Sequence, residues 1–216
     1  MRLDKRVLVV ANGDNDVHYL QGLKDTYDLI IAADGASNIL SQAGIKPDII
    51  VGDFDSIEAQ VLARYEAEDI RLVKLNSEKD YSDTHVAIDT AIDEGAGTID
   101  LVGAVGGRWD HSIANLNLLY YGFEKGINLS MVSQDNRATI KGKGQYTMAY
   151  KPNNFFSFFA IFEDAVVSLE NMKYPLNNKY VKRGESIGLS NEYEPGAKVT
   201  VVEGSILIVE SKKDRA

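Results

Sequence analysis

Apolar residues fall in short bursts along the first two thirds of the chain, and two spacings alternate. "RVLVVA", "DLIIAAD", "DIIVGD", "RLVKL", "TIDLVG" and "NLSMVS" are compact apolar runs of strand length. Between them lie helix-like stretches. "DVHYLQGLKDTY" places Val17, Leu20 and Leu23 on one face, and "GASNILSQAG" is a short helix closed by Gly44. "IEAQVLARYEAE" follows the third run. "SDTHVAIDTAIDEG" has Ser82 as an N-cap and Gly95 as a stop. "DHSIANLNLLYYGFEKG" groups Ile113, Leu116, Tyr120 and Phe123, with Asp110 as its cap and Gly126 at its end. Apolar strands alternating with helices predict a parallel sheet covered on both faces, in a Rossmann-like α/β domain. Ligands of such sheets bind beyond the carboxyl ends of the strands.

After about residue 135 the pattern changes to period two. "ATIKG", "QYTMAY", "FFSFFAIF", "AVVSLEN" and "KVTVVEGSILIVES" are β-rich, and the last carries a tight hairpin signal at Glu203-Gly204. The expectation is an α/β domain over residues 1–135 and a small all-β sandwich over 136–216, with a frayed "SKKDRA" tail. A sandwich of that size is expected to lean on its neighbour or on a second subunit.

Composition narrows the class. The 216 residues are 44% hydrophobic and 25% charged, as in a soluble globular protein. No apolar run approaches the ~20 residues of a membrane span, and "VLVVA" is too short for a signal-peptide core. The chain has no cysteine, which excludes disulfides and thiolate metal sites and fits a cytoplasmic location. The net charge of −9 argues against a nucleic-acid partner; it is compatible with a cationic ligand or a divalent metal, although an acidic protein kept soluble by its charge is the simpler explanation.

Candidate chemistry gathers at the strand ends. In "GDFDS", Asp53 and Asp55 stand at i and i+2. In an extended segment both carboxylates would project together, as Mg²⁺ ligation would use. A turn residue followed by a helix cap explains them equally well. Gly52 allows a close backbone approach. "NSEKDYSDT" adds Asp80, Ser82 and Asp83, with Lys79 as a phosphate contact or a solvated charge. "GAVGGRWDH" offers Gly103, Gly106, Gly107, Arg108 and Asp110 before a helix, a combination able to hold phosphate oxygens. "ADGASN" presents Asp34, Gly35 and Asn38 for a nucleotide contact or a turn. His18, His85 and His111 have no metal-ligand spacing. Tyr174 before Pro175, and Ser190 with Asn191, stand out in the β-rich part.

These segments, in order, resemble the thiamin pyrophosphokinase family, in particular its bacterial form. "ADGASNIL", "GIKPDIIVGDFDSI", "KDYSDTHVAI", "GAVGGRWDHSIANLNLL", "MKYPLNN" and "GLSNEY" carry the resemblance. It implies an α/β domain followed by a β-sandwich. It also implies a homodimer with active sites between one subunit's α/β domain and the other's sandwich. The implied reaction is Mg²⁺-dependent transfer of the diphosphate of ATP to thiamin, releasing AMP. Asp53, Asp55 and Asp83 would match the metal and phosphate aspartates, and Arg108 and Asp110 the "GGRxD" pair. Asp34, Gly35, Asn38, Ser82, Gly106 and Gly107 would lie with the nucleotide. Tyr174, Ser190, Asn191 and Asp80 would lie with thiamin. The proton acceptor for the thiamin hydroxyl would be Asp110 or Asp83.

Overall fold

The computed structural model of the chain describes residues 4–76 and 80–213. Lys79 lies outside the described residues. The chain divides into two compact units after Gln134, in a mixed α/β fold.

The first unit runs β1 (Lys5–Val10), α1 (Val17–Leu23), β2 (Leu29–Ala33), α2 (Ala36–Gln42), β3 (Ile49–Gly52) and α3 (Ala59–Ala67). It continues with β4 (Arg71–Lys74), α4 (Asp83–Asp93), β5 (Ala96–Val102), α5 (Trp109–Glu124) and β6 (Asn128–Val132). All six strands pair in parallel, in the spatial order β4-β3-β2-β1-β5-β6. Val7 to Val10 of β1 are wholly buried, as a strand covered on both faces requires. Leu8 and Val10 share a core with Leu20, Leu40, Val61 and Tyr65 from α1, α2 and α3. The alternate side chains Val7 and Val9 point the other way, where α4 packs on β1, β2, β3 and β5. Each fully buried aliphatic side chain here is worth about 1.5–3 kcal/mol.

The strand order places a topological switch between β1 and β5. From β1 the chain steps one way to β2, β3 and β4, and β5 and β6 lie on the other side. Connections leave these two adjacent strands in opposite directions, so a crevice opens at their carboxyl ends.

α5 buries a different face from the expected one. Asn115, Leu118, Leu119 and Gly122 face inward, while Ile113 is 59% exposed. Gly122 decides this. A Cβ there would lie 2.8 Å from Leu129 Cβ, so only a bare backbone lets the helix sit so close to β6.

The second unit contains β7 (Asn136–Lys141), β8 (Gly144–Thr147), β9 (Asn154–Phe159), β10 (Ala165–Met172), β11 (Leu176–Val181), β12 (Asn191–Glu203) and β13 (Ile206–Lys212). Its pairing is antiparallel. β13 lies between β7 and β9. β10 lies between β11 and β12, whose other edge takes β8. The start of β12, Asn191 and Glu192, reaches across to β9. Phe156, Phe158, Val167, Leu169, Val199, Val201, Ile206 and Ile208 form the core.

The Glu203-Gly204 turn is not the tight hairpin its sequence suggests, because the end of β12 pairs with β8 and β10 whereas β13 pairs with β7 and β9. Gly204 (φ 73°) turns the chain where a Cβ would meet Asp164 O at 2.3 Å. Val199 and Val201 before the turn, and Ile206 and Ile208 after it, enter one core from two sets of strands. The expected frayed tail is also tied down as far as it is described. Lys213 N–H donates to Asn153 O at 2.8 Å, and β13 extends to Lys212.

Candidate active site

A cavity of about 660 Å³ opens at the carboxyl ends of the parallel strands. Its walls come from the segments after β1, β2, β3 and β5 and from the first turns of α4 and α5. It lies entirely within the first unit and spans the β1/β5 switch.

Two loops close its floor. Gly13 N–H donates to Gly103 O (2.9 Å) and Asp14 N–H to Val105 O (2.7 Å). Asn15 Nδ2 donates to Ala11 O (2.9 Å) and Gly13 O (3.1 Å). Glycine is obligatory in this seam. A Cβ on Gly13 would meet Gly103 O at 2.3 Å, and one on Gly103 (φ 64°) would meet Ala11 O at 2.2 Å. Gly106 N–H is taken by Ser112 Oγ at 3.2 Å. Gly107 has no neighbour within 4 Å of the Cβ position, so its bareness leaves room at the cavity rather than relieving a clash.

The acidic corner follows β2 and β3. Oxygens of Asp34, Asp53 and Asp55 lie within 4.8 Å of one another. Asp34 is 7% exposed with a left-handed backbone, φ 44°. Among the described residues its Oδ1 has no hydrogen-bond partner. Burial pushes the Asp34 carboxyl above the ordinary carboxylate range. The Ser56 hydroxyl and Gly35 amide offset part of this, and the charges of Asp83 and Asp55 add to it. Gly52 makes room for Asp34, since a Cβ there would stand 2.8 Å from Asp34 Cβ. A desolvated carboxylate oxygen without a donor, beside two further carboxylates, suits a hard divalent cation.

Asp53 and Asp55 converge by a different route from strand alternation. β3 stops at Gly52. Phe54 then takes φ 71°, a conformation costly for a bulky side chain. Its ring packs against the apolar core of the first unit, which holds the turn in place. Asp55 N–H donates to Asp53 Oδ1 at 3.3 Å, and the turn brings both carboxylates to the cavity.

Ser82 caps α4, its Oγ accepting from His85 N–H at 3.2 Å. Asp83, the first residue of α4, lines the cavity beside the three-carboxylate cluster but outside it. Asp80 is exposed and does not line the cavity. Asn38 also lies off the cavity lining: it donates to Ser56 O (2.9 Å) and accepts from Glu58 N–H (3.0 Å), stapling the loop after β3. Gly35 packs where a Cβ would meet Asn12 Nδ2 at 2.5 Å.

Arg108 lines the cavity and is exposed. Its guanidinium bonds Asp110 through both Nε (3.2 Å) and an Nη nitrogen, which holds the Asp110 carboxyl below its usual range. Asp110 is not the cap of α5. The cap position is Arg108, without a side-chain bond, and Asp110 sits in the first helical turn. The carboxylate turns to the guanidinium and does not line the cavity.

The cavity also recruits residues that sequence reasoning passed over. Asn12, Gly13 and Asp14 follow β1 in "ANGD", at a strand end like the others. His111, Ser112 and Asn115 follow Arg108 at helical spacing. Asn115 is buried and donates to Ala104 O at 2.8 Å. His111 lacks a metal-ligand partner in sequence, yet the i+3 step from Arg108 brings it to the same wall.

In the second unit Tyr174, Ser190 and Asn191 form one strip. Tyr174 is 58% exposed, between β10 and β11. Ser190 has φ 55°, and its N–H donates to Ser157 Oγ at 3.0 Å. Asn191 is buried and bonded to the Tyr174 backbone. Glu192 pairs with Lys173 and Lys213, which hold its carboxyl down at about 2.

Residues 20–131 match the family model described as thiamin pyrophosphokinase, catalytic domain. Residues 145–206 match that of thiamin pyrophosphokinase, vitamin B1 binding domain. The thiamine pyrophosphokinase of Bacillus subtilis (strain 168) is 33% identical over 191 residues, covering 87% of this chain and 89% of that protein. The crystal structure of thiamine pyrophosphokinase from Bacillus subtilis superposes with a TM-score of 0.87 at 30% identity, over 98% of this chain and 100% of that one. A thiamin pyrophosphokinase family protein from Enterococcus faecalis superposes with a TM-score of 0.84 at 26% identity, over 97% and 100%.

Proposed function

The chain belongs to the thiamin pyrophosphokinase family and has the activity of that family, and on that premise we propose how its residues divide the work. The first unit acts as a Rossmann-like α/β domain that binds Mg-ATP, and the second as a β-sandwich that presents thiamin. The thiamin hydroxyl oxygen attacks the β-phosphorus of ATP. The bond from that phosphorus to the α,β-bridging oxygen breaks, and AMP leaves with the electron pair. Such transfer needs alignment and charge neutralisation more than covalent catalysis.

The observation that carries this reading is the three-carboxylate cluster with its donorless Asp34 oxygen, set in a glycine-lined crevice at the β1/β5 switch. Asp34, Asp53 and Asp55 would hold Mg²⁺. The ion, when bound, would neutralise charge on the transferring phosphates. Arg108 exchanges Asp110 for phosphate oxygens, its planar fork suiting either partner. Gly107 and the start of α5 let the phosphates approach the backbone closely. Asp83, at the cavity and outside the cluster, is the better placed acceptor for the hydroxyl proton. Asp110, which does not line the cavity, is less well placed for it. The Tyr174 ring gives the cationic thiazolium an aromatic face. We propose a homodimer in which the two substrate-binding parts of each active site come from different subunits, acting in the cytoplasm. No helix among the described residues is long and apolar enough to cross a membrane.

The test is product identity. Purified protein with Mg-ATP should release AMP in step with thiamin diphosphate and only when thiamin is present. ADP or free phosphate as the sole nucleotide-derived product would overturn the reading.

A further inference from the structure

We propose that Asn191 is a positioning residue for the ring of Tyr174 and not itself a ligand of the vitamin; this rests on the reading that Tyr174 stacks on thiamin. An asparagine side chain offers one oxygen with two lone pairs, and two N–H groups. Asn191 Oδ1 accepts from Tyr174 N–H (2.9 Å) and from Glu192 N–H (2.9 Å), which occupies both lone pairs. Nδ2 donates to Tyr174 O at 2.8 Å. With Asn191 only 4% exposed, almost nothing of it is presented to a ligand, whereas Tyr174 is 58% exposed.

The local chain explains why such a clamp is needed. Regular pairing of β10 with β12 ends at Met172 and Tyr193. Beyond it Lys173 N–H still reaches Glu192 O at 3.1 Å. Pro175 has no N–H to extend the ladder, and it biases Tyr174 toward an extended backbone. The Asn191 side chain takes the place of the missing ladder bonds by gripping both backbone polar groups of Tyr174. Ser190, left-handed and anchored on the nearly buried Ser157, turns the chain so that Asn191 points there. The Lys173 and Lys213 ammonium groups on Glu192 fasten the strip from outside. The result is an exposed ring on a fixed backbone, ordered before its ligand arrives.

A double-mutant cycle separates positioning from contact. Asn191→Ala should raise the KM for thiamin about tenfold, with kcat and the KM for ATP changed by less than about twofold. Combined with Tyr174→Ala it should add nothing, because the asparagine acts through the ring. Multiplying effects would mean that Asn191 touches the vitamin itself. An unchanged thiamin KM would mean it has no role. Either result overturns the inference. If Asn191→Ala does not fold, Asn191→Asp, which keeps the acceptor and loses the donor, enters the same cycle.

A ligand-free reading keeps this separate from the failure of the reaction assignment. The chain has one tryptophan, so Tyr174→Trp in a Trp109→Phe background reports on position 174 alone. Its fluorescence anisotropy, measured without thiamin, should fall when Asn191→Ala or Asn191→Asp is added. Unchanged anisotropy would overturn the clamp even if AMP is produced as expected.

Discussion

Asp34 is held by the shape of the backbone around it, and Tyr174 by a side chain seventeen residues away. At the cavity the fixing agents are voids and left-handed turns: the missing Cβ of Gly52, φ 44° at Asp34 and φ 71° at Phe54. At the strip they are hydrogen bonds from Asn191 and an ion pair network on Glu192. Steric fixation admits no small adjustment, because packed atoms leave nowhere to move. A hydrogen-bonded clamp can loosen by degrees. That difference matches the chemistry proposed for each place. Phosphoryl transfer loses rate steeply with misalignment, whereas stacking on an aromatic face tolerates small shifts.

The largest effect should come from the charge at the cavity. Asp55→Asn replaces a hard anionic oxygen with a neutral amide, and should lower kcat by about 10³-fold. Asp55 is exposed, so unfolding free energy should change by less than about 0.5 kcal/mol. Denaturant titration beside a steady-state assay checks both. Retained activity with a large loss of stability would recast Asp55 as a structural turn residue.

Gly52→Ala tests the void directly. The added methyl would stand 2.8 Å from Asp34 Cβ and 3.1 Å from its Cα. Neither atom is a flexible side-chain end, so the strand end must shift. The expected cost is about 1–3 kcal/mol of stability and about 10²-fold in kcat. Asn191→Ala should move KM instead. If Gly52→Ala raised only the thiamin KM, the two regions would not differ in the way described.

The strand ends were legible because buried parallel strands are apolar runs that stop abruptly. That pattern located Asp53, Asp55, Asp83 and Arg108 at one edge. The pairing of Asp53 with Asp55 was legible, but its geometry was not. Alternation assumes an extended chain, and nothing local in "GDFDS" announces the left-handed Phe54. The sequence presents Asp34 as a nucleotide contact or a turn residue and not as a third carboxylate. Its place depends on a void in the neighbouring strand, a relation between β2 and β3 that no single window contains. β11 is not legible in the sequence because "LNNKYV" is mostly exposed, with only Val181 buried, so it carries little apolar alternation. The two strands flanking Gly204 suggest a hairpin in sequence because each alternates cleanly. Which partners they join is decided by the core they share.

The smallest effect should come from the buried charge of Asp34, and its sign is informative. The folded-state pKa of Asp34 is raised by burial, whereas an unfolded aspartate titrates at about 3.9. The folded state therefore holds its proton more tightly. Metal-free stability from this group is full below the unfolded value, and falls as pH rises through the window up to the folded one. Asp34→Asn removes the titration. At neutral pH, in chelator, the variant should melt a few degrees higher than the unaltered protein, about 2–4 °C per kcal/mol for a chain of this length. The gain should shrink toward pH 4. Adding Mg²⁺ should reverse the order, because the ion stabilises only the chain that binds it. Thermal melts at two pH values, with and without Mg²⁺, give all four corners. If Asp34→Asn melted lower than the unaltered protein in chelator at neutral pH, its carboxylate would be a stabilising structural acceptor, and the steric account of that corner would fail.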